Sequence, residues 1–390
     1  MLSKLQNAVR WTEIMKQGWE IKKLGECFEY IKNGANIKQE RGAGGIPITR
    51  IETLSGGAFN RDRLGYADIE TIDKYQSYVM ESGDLLLSHI NSKSYIGRVV
   101  VYVKEGNETI IHGMNLLRLK VIPDIISPFY MYYYSQTHKF KSQIANRRKD
   151  AVNQSSISIT DLKTIDVPIP PREEQERIVE ELDCLSGVIE KKREQLRELD
   201  ALAQSIFYQM FGDPITNEKG WKVIPLKQAA LLKAGKAIKA TELSEDSDLG
   251  LYPCYGGNGI RGYINKKSHN GQFPIIGRQG ALCGNVVFAQ GEFYATEHAV
   301  VCNNIIESFN PLWLYYALKY NNLNRYAQGV AQPGISVNII NEMPLIYPTL
   351  ILQQEFADKI EAIEKQKELI KQSISQTEEL FNARMDYYFN

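Results

Sequence analysis

The sequence predicts an α+β protein in which two duplicated globular α/β domains are separated by two long helices that form an antiparallel coiled coil, with approximate two-fold symmetry. Three observations predict this arrangement. A proline-free run in the middle of the chain carries apolar residues at alternating spacings of four and three, a second run near the C-terminus repeats that pattern, and several short motifs occur twice in the same order. Such spacing, sustained over many turns, is typical of coiled-coil helices.

The central helix is predicted between a proline cluster that ends at Pro171 and the stop formed by Gly212 and Pro214. Proline at a helix start and Gly or Pro just past its end are common signals. At about 1.5 Å per residue the helix is roughly 50 Å long, which favours a strut with a partner over the alternative of a globular core helix. Lys192 interrupts its apolar stripe, whose members are Ile178, Leu182, Leu185, Ile189, Leu196, Leu199, Ala203, Ile206 and Met210.

The C-terminal helix supplies the predicted partner. Lys367 and Thr377 interrupt its stripe, which consists of Phe356, Ile360, Ile363, Ile370, Ile374 and Phe381. Two helices with one apolar stripe each can bury the stripes against each other. Because a whole domain connects them, we expect the two helices to run antiparallel.

The repeated motifs define the domain plan. The copies are separated by about 180–200 residues, which is far longer than a solenoid repeat. The matched pairs are Trp19–Leu24 with Trp221–Leu226, Gly83–Val101 with Gly271–Phe288, Pro128–Tyr133 with Pro311–Tyr316, Ser156–Ile159 with Gly334–Val337, and Pro170–Gln175 with Pro348–Gln353. We therefore predict an N-terminal helical segment (1–18), a first globular domain (19–167), a central helix (168–214), a second globular domain (215–347) and a C-terminal helix (348–390).

Composition and cysteine usage are those of a cytoplasmic globular protein. The 390 residues are 43% hydrophobic and 24% charged, which is ordinary for two or three domains. No apolar run of membrane-spanning length and no signal-peptide pattern is present. The five scattered cysteines never form a Cys-x-x-Cys pair, so we expect reduced thiols and no zinc site.

The formal net charge of zero conceals an uneven distribution. Residues 19–166 and 215–334 carry net charges of +3 and +4, whereas 167–214 and 335–390 carry −5 and −4. An acidic helix is repelled by a phosphate backbone. The helices are therefore expected to bind protein, and any nucleic acid is expected on the globular parts.

The sequence carries none of the common catalytic motifs. It has no P-loop, no G-x-S-x-G and no His-Glu-x-x-His, and its five histidines lack metal-ligand spacing. The Gly-rich segment Gly256–Gly262 is not followed by a helical pattern, so we interpret it as a tight turn that brings Asn258 or Arg261 close to a ligand. His298 follows Glu297 and is expected to be a strand residue with a local hydrogen bond. We expect no catalytic residues and no bound metal.

Several of the duplicated motifs together match a known family. They are the segment Pro168–Val179 (PIPPREEQERIV) and its weaker echo at 348–356, the openings at Trp19 and Trp221, the Tyr255–Gly259 loop, and the Ser-Ile-Ser and Gly-Ile-Ser elements before the proline clusters. In this combination the chain, from about Trp19 to its end, resembles the specificity (S) subunit of type I restriction-modification systems. The second copy departs from the pattern, because it keeps only Pro348 of the Pro-Pro pair and has Leu352 where the first has Glu174.

The resemblance implies two target-recognition domains that each read one half of a bipartite DNA sequence, with the helices acting as a spacer ruler and as the docking surface for two modification (methyltransferase) subunits. In the family those subunits bind S-adenosylmethionine, and restriction subunits, where present, add ATP- and Mg-dependent translocation and cleavage. This chain would then be non-catalytic, would need no cofactor of its own, and would bind double-stranded DNA and those subunits. The alternative that remains open is a coiled-coil scaffold or adaptor with two ligand-binding domains and no DNA role. An autonomous enzyme is disfavoured by the missing motifs.

Candidate DNA contacts lie in polar loops after paired strands, where side chains can reach a groove. The base-reading candidates are Ser88, His89, Asn91, Ser92 and Lys93 in the first domain and Asn258, Arg261, Arg278 and Gln279 in the second. The phosphate-contact candidates are Arg147, Arg148, Lys149, Lys236, Lys239, Lys266 and Lys267. For each of them the alternative is a solvated loop residue.

Overall fold

A computed structural model describes residues 18–40, 44–152, 154–245, 250–329 and 333–390. The predicted N-terminal helical segment lies, apart from Gly18, outside these residues. The chain forms two compact units: the first contains the described residues up to Lys191 together with Ile374–Asn390, and the second contains Lys192–Ser373. Each of the two long helices contributes one part to each unit. None of the helices that the structure describes is long and apolar enough to cross a membrane.

The first unit is built on a four-stranded antiparallel sheet of order β2-β9-β6-β8. Its strands are β1 (Glu20–Lys23), β2 (Phe28–Asn33), β3 (Gln39–Glu40), β4 (Ile46–Ile48), β5 (Gly65–Ala67), β6 (Leu85–Ser88), β7 (Ile90–Asn91), β8 (Val99–Val101), β9 (Leu116–Val121), β10 (Lys149–Asp150), β11 (Ser155–Ser156) and β12 (Asp166–Ile169). Its helices are α1 (Pro128–Gln136), α2 (His138–Arg147), α3 (Ile159–Lys163), the first half of α4 (Arg172–Phe211) and the end of the last helix of the chain, from Ile374.

Both faces of this sheet are buried. Leu85 and Leu87 of β6 pack with the tyrosines of α1, whereas Leu86 between them packs with Leu54 and Tyr102 on the other side. Side chains alternate between the faces of a strand, so a continuous apolar run is what a strand covered on both faces requires.

The second unit repeats the sheet and extends it to the order β14-β19-β17-β18-β15-β16. Its strands are β13 (Val223–Pro225), β14 (Leu231–Ala234), β15 (Tyr252–Gly256), β16 (Gly259–Ile264), β17 (His269–Gly277), β18 (Val286–Ala295), β19 (Ala299–Asn303) and β20 (Pro344–Ile346). Its helices are the second half of α4, α5 (Pro311–Tyr320), α6 (Val337–Asn341) and the first part of α7 (Leu350–Phe389). Strand β15 pairs with β18 in parallel, and the other neighbours are antiparallel.

The duplication predicted from the sequence is confirmed by the sheet order and by individual hydrogen bonds. The order β2-β9-β6-β8 in the first unit corresponds to β14-β19-β17-β18 in the second. In each unit the first strand pairs antiparallel with the last, β1 with β12 and β13 with β20. The Leu24 amide donates to Ile165 O at 2.8 Å, and the Leu226 amide donates to Met343 O at 2.9 Å. The chain therefore enters and leaves each globular part at adjacent points.

The long helices pair antiparallel within the second unit. Going along α4, Lys192 Nζ donates to Ser373 Oγ, Asp200 Oδ1 lies 2.7 Å from Lys367 Nζ, and the Phe207 ring lies 5.5 Å from that of Phe356. The residue numbers of the partners on α7 decrease as those on α4 increase. This confirms that the two segments run antiparallel, as predicted. The predicted seam residues are all buried or half-buried; they are Ile178, Leu182, Leu185, Ile189, Leu196, Leu199, Ile206, Phe356, Ile360, Ile363, Ile370, Ile374 and Phe381.

The seam departs from the prediction near the helix ends. In the last two turns of α4 the fully buried residues are Phe207 and Phe211, whereas the predicted Ile206 is half-buried. In α7 burial continues past Phe381 to Met385 and Phe389. A helix with 3.6 residues per turn drifts relative to a 3.5-residue repeat, so the buried stripe moves by about one position over several heptads.

Two short segments complete the first unit. Strand β4 ends at Ile48, and a 3-10 helix follows from Ile51 to Gly57. The end of α2 is followed by the short strands β10 and β11. Phe140 and Ile144, four residues apart and both buried, provide the apolar face that holds α2 in place.

One buried glutamine ties each long helix to its sheet domain. Gln175 Oε1 accepts from the Ser127 amide at 2.8 Å, and its Nε2 donates to Pro170 O at 3.0 Å and to Ile125 O at 2.9 Å. Gln353 makes the same three kinds of bond in the second unit. Both side chains are almost fully buried, so their amides satisfy backbone groups that have little access to water.

Replacing Gln353 by Leu should lower the free energy of unfolding by about 2–3 kcal/mol, because the Asn310 amide and the carbonyls of Ser308 and Pro348 lose their partner. Urea unfolding followed by tryptophan fluorescence measures this, since Trp313 lies in the core of the same unit. Gln366→Leu, on the exposed face of the same helix, is the matched control and should change stability by less than about 0.5 kcal/mol. Equal effects of the two substitutions would contradict this role.

Candidate nucleic-acid interface

In the first unit a small antiparallel sheet, β10-β11-β7, joins two polar segments that are distant in sequence. Asn91 pairs with Ser155, and Lys149 pairs with Ser156. The predicted base-reading segment Asn91–Lys93 thereby lies beside the phosphate candidates Arg148 and Lys149. Ser92, Lys93 and Lys149 are exposed, and Asn91 is half-buried.

Asp150 organises the charges on this sheet. Its Oδ1 accepts from Ser155 Oγ at 2.6 Å and from Arg148 Nε at 3.0 Å, and its Oδ2 lies 3.0 Å from Lys93 Nζ. Hydrogen bonds from Ser155 and then Lys93 lower the pKa of the Asp150 carboxyl to about 2. The carboxylate therefore stays charged across the physiological pH range and holds two cationic side chains next to Asn91.

A basic cleft of about 430 Å³ adjoins this sheet. Arg98 stacks over the Tyr95 ring at 4.6 Å inside it. The side chains with cationic or imidazole groups that line it are Lys93, Arg98, His138, Lys141 and Arg148. A concave surface with this charge attracts an anionic backbone.

Three predicted contact residues have other roles in the first unit. Ser88 and His89 are only 1% and 8% exposed, and Ser88 Oγ accepts from Asn91 Nδ2 at 3.1 Å, so these side chains support the loop from beneath. Burial lowers the pKa of His89. Arg147 donates to Thr164 Oγ1 at 2.8 Å and to Thr164 O at 3.3 Å, which directs its guanidinium to the turn after α3. Buried or committed side chains of this kind are poorly available to a ligand.

In the second unit the tip of the β15–β16 hairpin lies against the end of β17. A Cβ on Gly277 would come within 1.9 Å of Gly257 O, so this backbone contact requires glycine. The neighbouring Asn258 is exposed, and its Oδ1 accepts from Asn285 Nδ2 at 2.7 Å. The tight turn predicted here is confirmed, and because a strand follows it the segment cannot be the strand-loop-helix of a dinucleotide site.

The other predicted base-reading residues of this unit lie close to the hairpin tip. Arg278 directly follows Gly277 and is half-buried, whereas Gln279 is exposed. The Arg261 side chain covers Gly256, where a Cβ would lie 2.5 Å from Arg261 Cδ. These residues and Asn258 thus form one polar edge at the end of the sheet, which we call the β17 edge.

The four lysines predicted as phosphate contacts differ in position. The Lys236 amide donates to Ala295 O at 3.1 Å, which places this residue beside the β17 edge. Lys266 Nζ lies 2.7 Å from Glu242 Oε2, Lys267 pairs with Glu292, and the main chain of Lys239 donates to Glu242 at 3.0 Å. The last three therefore form a separate exposed group with acidic neighbours.

The structure adds residues that were not predicted from the sequence as DNA contacts. The turn Thr296–His298 between β18 and β19 borders the β17 edge, since His298 O accepts from the Arg278 amide at 3.1 Å. His298 was expected on a strand; it lies in this turn, with Nε2 3.2 Å from Glu297 Oε1. The only signal of this turn in the sequence was that Glu297 and His298 are adjacent. Their proximity to Arg278 could not be predicted, because it depends on a tertiary contact. Among the residues that the structure describes, no group of three or more His, Cys, Asp or Glu side chains is arranged to hold a metal ion.

Comparison with known proteins gives a consistent assignment. Residues 16–200 and 218–379 match the family model described as type I restriction modification DNA specificity domain. The chain is 36% identical over 214 residues to the putative type I restriction enzyme MjaX specificity subunit of Methanocaldococcus jannaschii, over 54% of this chain and 50% of that protein. It is 48% identical over 120 residues to the type I restriction enzyme EcoprrI specificity subunit of Escherichia coli, over 30% of each. The chain thus spans half or less of the length of these curated relatives.

A solved structure has the same fold over nearly the whole chain. The crystal structure of the type I restriction-modification system S subunit from M. genitalium superposes with a TM-score of 0.63 at 15% identity, and covers 95% of this chain and 97% of that one. At this identity the likeness concerns the fold alone.

Substituting Asp150 by Ala should loosen the β10-β11-β7 sheet without unfolding the unit, because Lys93, Arg148 and Ser155 lose their common acceptor. Amide hydrogen exchange should become faster in residues 149–156 and stay unchanged in β6. Because the folded pKa is about 2, against an ordinary 3.8, the contribution of Asp150 to protection in the wild type should decline progressively as the pH falls from about 4 to about 2. Asp124→Ala, an exposed control, should leave exchange unchanged in both segments; equal exchange in both variants would contradict the organising role.

Proposed function

The chain belongs to the type I restriction-modification DNA specificity family, and from that premise we propose that it is the non-catalytic subunit that recognises a bipartite DNA target. Each globular domain, at 19–167 and at 215–347, reads one half of the target. The observation that carries the proposal is that the β10-β11-β7 sheet of the first unit and the β17 edge of the second occur at equivalent points of the duplicated fold. The amide of Ile157 donates to His89 O at 2.9 Å in the first unit, and the amide of Ile335 donates to Arg278 O at 2.9 Å in the second.

The side-chain chemistry of both edges suits a DNA groove. Arg, Lys, Asn and Gln recognise base edges through hydrogen bonds, and cationic side chains hold the phosphates. In the first domain, Asn91, Ser92 and Lys93 are proposed to read bases, with Arg148 and Lys149 on the backbone. In the second domain, Asn258, Arg261, Arg278 and Gln279 are proposed to read bases, with Lys236 on the backbone. Net charges of +3 on residues 19–166 and +4 on residues 215–334 agree with this division.

The long helices are proposed to serve as spacer and as docking surface. The segments 167–214 and 335–390 carry net charges of −5 and −4, which is unfavourable for DNA contact and leaves their exposed faces for protein. The partners proposed for them are two methyltransferase subunits and, where present, restriction subunits. Helix α4 runs without interruption from Arg172 to Phe211 and takes part in both units, so its length is a fixed quantity of the fold.

Arg278→Ala and Lys149→Ala should separate base reading from backbone contact. Loss of Arg278 should cost about 1–3 kcal/mol and relax one half of the methylated motif, whereas loss of Lys149 should weaken binding to all sequences and reduce the salt slope by about 1. Sequencing of DNA methylated by the complex with its methyltransferase subunits, together with gel shifts at several salt concentrations, measures both effects. Equal weakening across all sequences in Arg278→Ala would exclude base reading by Arg278. Absence of any DNA binding or methylated motif in the wild-type complex would favour the scaffold alternative instead.

Inserting one heptad into α4 after Lys191 and one into α7 after Ser373 should lengthen the spacer between the two half-sites. Seven residues add about 10 Å of helix, which corresponds to roughly three base pairs of B-DNA. Both half-site sequences should stay unchanged. An insertion of the same length in the loop that contains Gly220 serves as the control and should leave the spacer as it is. An unchanged spacer in the double heptad variant would contradict the ruler role.

A further inference from the structure

Four buried polar atoms without a hydrogen-bond partner in the described part of the chain lie together at the β17 edge. They are Arg278 Nε, Thr296 Oγ1, Glu297 Oε2 and His298 Nδ1. A buried polar atom that lacks a partner costs free energy, and such atoms are uncommon in folded proteins. Three of the four atoms belong to the turn Thr296–His298, and the fourth belongs to Arg278, which contacts this turn in space. Such a concentration calls for a functional explanation.

The backbone around these atoms is held firmly. The Thr296 amide donates to Tyr255 O at 2.9 Å, and the Ala299 amide donates back to Thr296 O at 3.0 Å. On the far side, a Cβ on Gly235 would come within 2.0 Å of Ala295 O, so the end of β14 also approaches the turn at backbone distance. Two neighbouring segments and the hydrogen bond that closes the turn thus hold Thr296–His298 in place before any ligand binds, which lowers the entropy cost of recognition.

The groups of the turn can be reached by a ligand, because the His298 and Glu297 side chains are 37% and 39% exposed although these individual atoms are shielded from water. His298 Nε2 lies 3.2 Å from Glu297 Oε1, which leaves Nδ1 as the ring nitrogen without a partner in the described part of the chain. Glu297 Oε2 is a carboxylate acceptor, whereas Arg278 supplies donors. A ligand that fits this set offers an amino group next to an acceptor oxygen or nitrogen.

Major-groove base edges offer that combination. Adenine presents an N6 amino group beside N7, and a G·C pair presents the cytosine N4 amino group beside the guanine O6 and N7 acceptors. We infer that the turn Thr296–His298 is a base-reading element of the second domain, in which Glu297 accepts from the exocyclic amino group of adenine or cytosine while Arg278 donates to the purine of the same base pair. The inference rests on the proposed function. It adds the turn Thr296–His298 to the base-reading residues and specifies an amino-bearing base, adenine or cytosine, as the group that Glu297 recognises.

The first unit has a different set of groups at the corresponding edge. His89 occupies the position of Arg278, and Gly34 approaches Gly113 as Gly235 approaches Ala295. His112, beside Gly113, is fully buried, and its Nε2 lies 2.9 Å from Leu116 O. Substitutions in the turn Thr296–His298 should consequently affect only one half of the target.

The test uses Glu297→Gln in the full complex with its methyltransferase subunits. A library of random DNA is methylated by wild type and variant, and the methylated motifs are sequenced. Glu297→Gln should keep the spacer and one half-site and lose about 10- to 100-fold discrimination at a single A·T or G·C position of the other half-site. Glu307→Gln, beyond the opposite end of β19, is the matched control and should keep the full motif. An unchanged motif in Glu297→Gln, or equal loss at every position, would overturn the inference.

A second arm uses wild-type protein and therefore does not depend on folding of the variant. Each adenine of the affected half-site is replaced by purine, and each cytosine by pyrimidin-2-one, so that one amino group is removed at a time. A loss of about 10- to 100-fold at one position, which disappears in Glu297→Gln, identifies that base as the partner of Glu297. No sensitivity at any position would exclude amino-group recognition by Glu297. If the wild-type complex methylates no defined motif, the proposed function fails, whereas a defined motif that ignores Glu297 rejects only this inference.

Discussion

The buried amides of Gln175 and Gln353 are the contacts on which the geometry of each unit depends most. Each one joins three backbone segments: the loop before the aromatic helix α1 or α5, the proline turn, and the first turn of a long helix. A side chain with both donor and acceptor is required, because the segments offer one N–H and two carbonyls. The pairing of β1 with β12, and of β13 with β20, brings the chain to this junction in both copies. The start of each long helix is thereby coupled to the sheet that carries the polar edge.

The hydrophobic cores also attach the ends of the long helices to the sheet domains, because each unit contains the C-terminal end of one long helix. In the first unit the Phe389 ring lies 5.5 Å from that of Tyr130, and in the second the Phe211 ring lies 5.9 Å from that of Trp313. Aromatic rings at such distances contribute both buried area and favourable edge contacts. A tyrosine on each aromatic helix adds a polar contact: Tyr133 donates to Asp183 at 2.5 Å and Tyr316 to Glu364 at 2.7 Å. A helix held in this way at both ends of its segment behaves as part of the domain core.

The arrangement of two domains and two long helices was predictable from the sequence, because the spacing of apolar residues and the order of the repeated motifs can be read from the chain itself. The heptad stripe, the two lysines that interrupt it and the doubled motifs all correspond to features of the structure. Lys367 is 8% exposed and its Nζ lies within 2.8 Å of both Asp200 Oδ1 and Glu364 Oε1, so the interruption is a paired charge at the helix contact. The shift of burial from Ile206 to Phe207 was not predictable from a strict seven-residue repeat, since it results from the drift of a 3.6-residue helix.

The candidate site was predictable only in part, because exposure and proximity across the sheet are not encoded in local pattern. The polar segment at the end of β6 was found, yet its first residues, Ser88 and His89, are buried and only the residues beyond them are accessible. The Thr296–His298 turn was missed, since its relation to Arg278 depends on one backbone hydrogen bond between strand ends. The shared sheet order and the paired glycines Gly34 and Gly235 fix the same edge in both copies, whereas the side chains on it differ. A frame held by backbone contacts and buried amides can therefore carry different polar side chains in its two copies without a change of fold, which is the property that the proposed recognition of two half-sites requires.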